Sequence, residues 1–270
     1  MLRKFIGVSF YFIGLGLWVL LFSVAAFWII PWGVLFFLAG YLTKTHEWPE
    51  LKHFGAWEWL RQKYFNFQVV KGTLPDNVKG RVIYAIYPHG HFSLTAIFYW
   101  ALNPKFANAR AAIHSAIFYL PVVGSLVRWI GAISVDEDEM CRTLETQNTP
   151  IFMCPGGVSE IELTGLDVIH RRGFLRVAHK TQSIVVPVWC PDERSYYQQY
   201  LPLGRTFSNL FFFPVPLFLW GLWWCPLLPR RLEHSRILVG NGIATLDKPL
   251  EMVEREFWEE LIRLQNIKSS

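Results

Sequence analysis

Charge is scarce in this sequence. Of its 270 residues, 17% are Asp, Glu, Lys or Arg, and none lies between Lys4 and Lys44. An ordinary soluble domain carries about 25% charged residues, so a chain surrounded on all sides by water is not the first expectation. Cysteine is sparse too. The four, at positions 141, 154, 190 and 225, share no short spacing, which argues against a disulfide framework or a zinc site. They read as reduced, structural thiols on the cytosolic side. There is no Gly-x-Ser-x-Gly elbow, no P-loop and no dinucleotide fingerprint, and no Ser, Cys or Thr stands in a recognisable nucleophile setting. A covalent-intermediate mechanism is therefore harder to build than a direct transfer in which a base activates an incoming hydroxyl. No basic run or nucleic-acid motif accompanies the net charge of +5, so nucleic acid is not the expected partner. Internal repeats and low-complexity tracts are also lacking.

What the chain has in quantity is apolar surface. Hydrophobic residues make up 52% and aromatics 17%, with 13 Trp, and a membrane-bound protein is expected. The positive charge and a pI near 9.0 suit anionic headgroups or phosphate-bearing substrates such as nucleotides and coenzyme A. The uncharged stretch at the start would run about 58 Å as one helix, against a hydrocarbon core of about 30 Å, so two spans fit better than one. Ser23 and Pro31-Trp32-Gly33 are candidate turns, and Arg3, Lys4 and Lys44 place both ends on the cytosolic side. Residues 1–45 are thus expected to form a membrane-embedded hairpin, spanning fully or dipping into one leaflet. A signal peptide is the alternative, but the stretch is too long and lacks a clear cleavage site.

Residues 46–270 are expected to form a cytosol-facing α/β domain, because apolar, β-prone runs alternate with helix-forming segments. The strand candidates are Val82–Tyr87, Ala111–His114, Ala132–Val135, Pro150–Cys154, Ile184–Trp189 and Arg236–Val239. Helices are predicted over Ser93–Leu102, Ser115–Ile130, Asp136–Gln147 and Gly173–Thr181. A last helix follows, with Asp247 as N-cap, Pro249 in its first turn, and Leu250, Val253, Phe257, Leu261 and Leu264 on one face. The uncharged segment near 210–229 contains four prolines, which disfavour a spanning helix. It is either a membrane-contacting wall or a buried core loop.

Two strand ends carry the chemistry. The run Val82–Tyr87 stops at Pro88-His89-Gly90-His91, which is how a strand delivers a titratable group to a sheet edge. His89 is either a general base or a turn histidine bonded to nearby backbone. His91 adds a second ring, but two histidines without further matched ligands make a weak zinc signal, and no metal is expected. The run ending at Cys154 stops at Pro155-Gly156-Gly157, followed by Glu160. Consecutive glycines let N–H groups turn toward an oxyanion or anion, though they also occur in plain turns. Glu160 lines the same pocket or is a solvated helix-start carboxylate. Arg171 and Arg172, before Gly173, form an anion grip or a solvated basic turn.

Together these residues resemble the type-2 diacylglycerol acyltransferase family, which includes monoacylglycerol acyltransferases and wax-ester synthases. Tyr87-Pro88-His89-Gly90 is similar to its His-Pro-His-Gly signature. Phe118-x-x-Pro121 with Gly131, Pro155-Gly156-Gly157-x-x-Glu160, Arg171-Arg172-Gly173-Phe174 with Val186-Pro187-Val188, and Val239-Gly240 resemble its later blocks in order. The chain departs from the pattern at four places. Tyr87 replaces the first signature histidine. Leu94 stands where related glycerolipid acyltransferases place Asp, so Glu160 is expected to orient His89. Gly124 stands where many members carry Arg. Trp189-Cys190-Pro191-Asp192-Glu193 follows Val188 where Phe-Gly-Glu is usual.

The resemblance implies a glycerolipid-acyltransferase-like mixed sheet flanked by helices, behind the hairpin. It implies transfer from fatty acyl-CoA, a co-substrate with no other cofactor, to diacylglycerol in the endoplasmic reticulum membrane. His89 would be the base, with Glu160 beside it, Gly156 and Gly157 at the oxyanion, and Arg171 and Arg172 on coenzyme A. Pro88, Gly90, His91 and Pro155 would support the motif. Monoacylglycerol or a fatty alcohol as acceptor, and an inactive lipid-binding scaffold, are the alternatives. Lipid-droplet relocation and homo-oligomer formation stay open.

Overall fold

The structure, a computed structural model, describes residues 47–71, 80–90, 92–120, 123–160, 167–199, 219–222 and 228–267. The expected hairpin, His91 and most of the 210–229 segment lie outside the described residues. Among the described residues no helix is long and apolar enough to cross a membrane.

Among the described residues, seven strands build one mixed sheet: β1 (Phe67–Lys71), β2 (Val82–Tyr87), β3 (Arg110–Ile113), β4 (Ile133–Ser134), β5 (Ile151–Met153), β6 (Ile184–Trp189) and β9 (Ser235–Val239). A separate ribbon pairs β7 (Gln198–Gln199) with β8 (Leu219–Trp220). The sheet order is β1-β9-β6-β2-β5-β3-β4. β2 lies between β6 and β5 and runs parallel to both, while β9 is antiparallel to β6. All six residues of β2 are buried, as an apolar strand covered on both faces requires.

Five α-helices are described: α1 (Gly55–Trp59), α2 (Val123–Trp129), α3 (Glu137–Glu145), α4 (Gly173–Lys180) and α5 (Leu250–Gln265). Period-two alternation divides β2 between two cores. Ile83, Ala85 and Tyr87 pack with Leu144 of α3, Leu175 of α4 and Phe257 and Leu261 of α5. Val82, Tyr84 and Ile86 pack on the other face with Trp100, Ala101 and Phe152. Val253, Phe257, Leu261 and Leu264 form the buried stripe of α5, as the sequence periodicity predicts.

Three local expectations are corrected. Asp247 does not cap α5: it sits in a turn at φ +58°, and extended Pro249 occupies the N-cap position without a side-chain cap. The predicted helix Ser115–Ile130 is two pieces, a 3-10 turn (Ser115–Tyr119) and α2, because Leu120, which precedes Pro121, is extended. A proline disfavours the helical conformation of its predecessor. The predicted helix Ser93–Leu102 widens into a π-type turn over Ala96–Ala101.

Candidate active site

The sheet order places the C-terminal ends of β6, β2 and β5 side by side, the usual location of ligands in open α/β sheets. From β2 comes His89, half-buried. Its Nδ1 lies 2.7 Å from the Gly90 carbonyl oxygen. A carbonyl only accepts, so Nδ1 carries the proton and the lone pair is left on Nε2. Burial lowers the His89 pKa from 6.5, opposed by the bond to Gly90, and so favours neutral imidazole. The sequence left His89 as either a base or a turn histidine bonded to backbone. It is bonded to backbone through one nitrogen, and in the neutral ring that bond leaves the lone pair on the other.

From β5 comes Glu160, fully buried. It does not meet the imidazole as expected. Its carboxylate accepts from the backbone N–H of His89 at 2.8 Å and from that of Ile169 at 2.8 Å, so it fixes the main chain on which the ring is mounted. Burial raises its pKa, against the lowering effects of these bonds and of Arg194 and Arg171. The double glycine has a structural purpose in this reach. A Cβ on Gly156 would fall within the Glu160 carboxyl group, and Gly157 adopts φ +60°. The Gly157 N–H donates to Cys154 O at 3.1 Å, committing it to the turn and leaving Gly156 as the oxyanion candidate.

From β6 comes Glu193, 4% exposed. It accepts from the backbone N–H of Leu94 at 2.6 Å, from that of Thr95 at 3.0 Å, and from Thr95 Oγ1. Burial pushes its carboxyl up to about 7. Sequence reasoning missed this residue as a site component. Its only signal was a Glu among Trp, Cys and Pro just past the strand next to β2. Ser93, also missed, donates its hydroxyl to His89 O at 2.7 Å.

A family model described as diacylglycerol acyltransferase matches residues 19–209. The chain belongs to that family. It is 27% identical over 164 residues to mouse "Diacylglycerol O-acyltransferase 2-like protein 6", covering 55% of this chain and 48% of that protein, so it spans about half the length of that relative. It is similar in fold to the 1-acyl-sn-glycerophosphate acyltransferase PlsC from Thermotoga maritima, with a TM-score of 0.51, 15% identity, and coverage of 92% and 94% of the two chains.

The diacylglycerol acyltransferase match spans His89, Glu160, Glu193 and the basic pair. Arg172 is exposed and ion-paired with Glu254 of α5 at 2.8 Å. Arg171 is also exposed, close enough to lower the Glu160 pKa. Just before them, His170 stacks on Trp258 with ring centroids 4.0 Å apart. Both line a cavity of about 360 Å³ with Asp167, Val168, Ile169 and Leu261. Tyr87, in place of the signature histidine, is fully buried against Phe257 and Trp258. Burial holds its phenol protonated, so position 87 is a core position here. At Gly124 a Cβ would run into the Phe118 carbonyl oxygen, which explains why no arginine is found there.

Proposed function

We propose that this chain transfers an acyl group from fatty acyl-CoA to the hydroxyl of diacylglycerol, making triacylglycerol. The observation that carries the reading is the bonding of His89, with Nδ1 tied to Gly90 O and its main chain tied to Glu160, beside burial that lowers its pKa. Nε2 takes the acceptor's hydroxyl proton as the oxygen attacks the thioester carbonyl, a role worth about 10²–10⁴ in rate. The tetrahedral oxyanion is stabilised by backbone N–H of the Pro155–Gly157 turn, a task that falls to Gly156. On collapse the C–S bond breaks, and imidazolium returns the proton to the coenzyme A sulfur. The ester and free coenzyme A leave with His89 neutral again.

Arg171 and Arg172 take the coenzyme A phosphates, and the cavity beside His170 gives the donor room next to them. The apolar N-terminal stretch and the 210–229 segment present diacylglycerol from the bilayer of the endoplasmic reticulum. The test is to give membranes from expressing cells labelled oleoyl-CoA with diacylglycerol, monoacylglycerol or fatty alcohol in separate reactions. Labelled triacylglycerol above background is expected with diacylglycerol. Product only with another acceptor moves the assignment to that acceptor. No product with any acceptor, with the protein present in the membrane, sinks the enzyme reading in favour of a lipid-binding scaffold.

A further inference from the structure

We propose that Glu193 is a positioning residue for His89, a buried carboxyl that holds the helix start at Leu94 and Thr95 and packs on Gly90, so that imidazole Nε2 stays aimed at the acceptor hydroxyl. This rests on the acyl-transfer reading above. Glu160 holds the main chain at His89 through its N–H, and Glu193 holds it at Leu94 and Thr95. Between them, Gly90 lies directly on the Glu193 side chain: at φ +61°, a Cβ there would be 2.6 Å from Glu193 Cγ. The Gly90 peptide is the one whose carbonyl fixes the His89 tautomer. Glu193 therefore bears on the group that sets which imidazole nitrogen is free.

A local residue ordinarily caps a helix start, Ser or Asp being favoured just before the first turn. Here that residue is Ser93, and its hydroxyl is turned back onto His89 O instead. The capping passes to a carboxyl from another strand end. Burying a carboxyl is unfavourable unless its hydrogen bonds are made, and the bonds Glu193 accepts go to this one helix start. That arrangement couples the end of β6 to the base on β2.

The test uses the full chain in membranes, comparing wild type, E193A, E193Q and H89A with the acceptor that wild type uses. In E193A, kcat is expected to fall about 10–100-fold, part of the contribution of a well-aimed base, with KM for oleoyl-CoA within about twofold. E193Q, which keeps an acceptor oxygen and the size of the side chain, is expected to recover to within about fivefold. Wild-type kcat in E193A overturns the proposal. If E193A is lost from the membrane, Thr95→Val, which removes one donor, is expected to lower kcat about threefold, and unchanged kcat there overturns it equally. A second readout needs no turnover. Carbethoxylation of His89 by diethylpyrocarbonate, followed by mass spectrometry, is expected to be faster in E193A and near wild type in E193Q. Identical rates in wild type and E193A overturn the positioning role whether or not product forms. Wild type without product but with altered His89 reactivity in E193A overturns the acyl-transfer reading alone.

Discussion

At the scale of the residue, the two nitrogens of His89 do different things. Nδ1 is spent on Gly90 O, and Nε2 is left with the lone pair that the proposed base needs. Because burial lowers its pKa from 6.5 and only the neutral ring accepts a proton, kcat/KM is expected to stay level from pH 8 to 6.5 and to fall below that. A pH profile already falling between pH 8 and 7 would contradict this. Gly90→Ala is expected to lose most activity, since the new methyl meets Glu193 at a positive φ; wild-type rates in that variant would show that the turn tolerates rearrangement. Arg172 is legible in sequence only as a basic residue, and its pair with Glu254, open to solvent on the arginine side, is worth about 1 kcal/mol. The double variant R171A/R172A is therefore expected to change stability little while raising KM for oleoyl-CoA severalfold. An unchanged KM would remove the pair from the donor site.

At the scale of the element, what the sequence made legible was whatever depended on local pattern. β2 and β6 appear with the bounds their apolar runs indicate, and β3, β4, β5 and β9 lie within a residue or two of theirs. β1 was not foreseen, because Phe67–Lys71 is short and mixed and becomes a strand only by pairing with β9. The helix boundaries that failed lie beside prolines: Pro249 takes the N-cap position expected of Asp247, and Leu120 is extended ahead of Pro121. The site residues divide the same way. His89 and Glu160 follow strand ends and could be read; Glu193 matters through contacts with residues almost 100 positions earlier, which no local pattern encodes. The role of Gly156 was legible as a need for glycine but not as room for Glu160. On α5, Leu261 is buried in the core under β2, and Leu261→Ala is expected to cost about 2–5 kcal/mol in denaturant unfolding of the detergent-solubilised protein. A shift near zero would mean that α5 is not packed on the sheet.

At the scale of the whole molecule, three neighbouring parallel strands bring one histidine and two buried carboxyls to a single edge, and that arrangement shapes stability as well as the proposed reactivity. The Glu193 carboxyl is raised from 4.5 to about 7 by burial, so the folded chain holds a proton that the unfolded chain releases. The sign follows: this stabilisation is complete below pH 4.5 and is lost as pH rises to about 7, roughly 3 kcal/mol. E193Q lacks the titration, so its stability relative to wild type is expected to improve by that amount from pH 4.5 to 8; a constant difference would contradict it. The mixed α/β class was readable from alternation alone, whereas the strand order that joins β6, β2 and β5 was not, since it is set by crossovers through the helices. The central claim is that a neutral His89 drives acyl transfer, and it is tested most directly by initial rates of labelled triacylglycerol formation from oleoyl-CoA and diacylglycerol in membranes holding equal amounts of wild type and H89A. H89A is expected to be slower by about 10²-fold or more. Equal rates would contradict it.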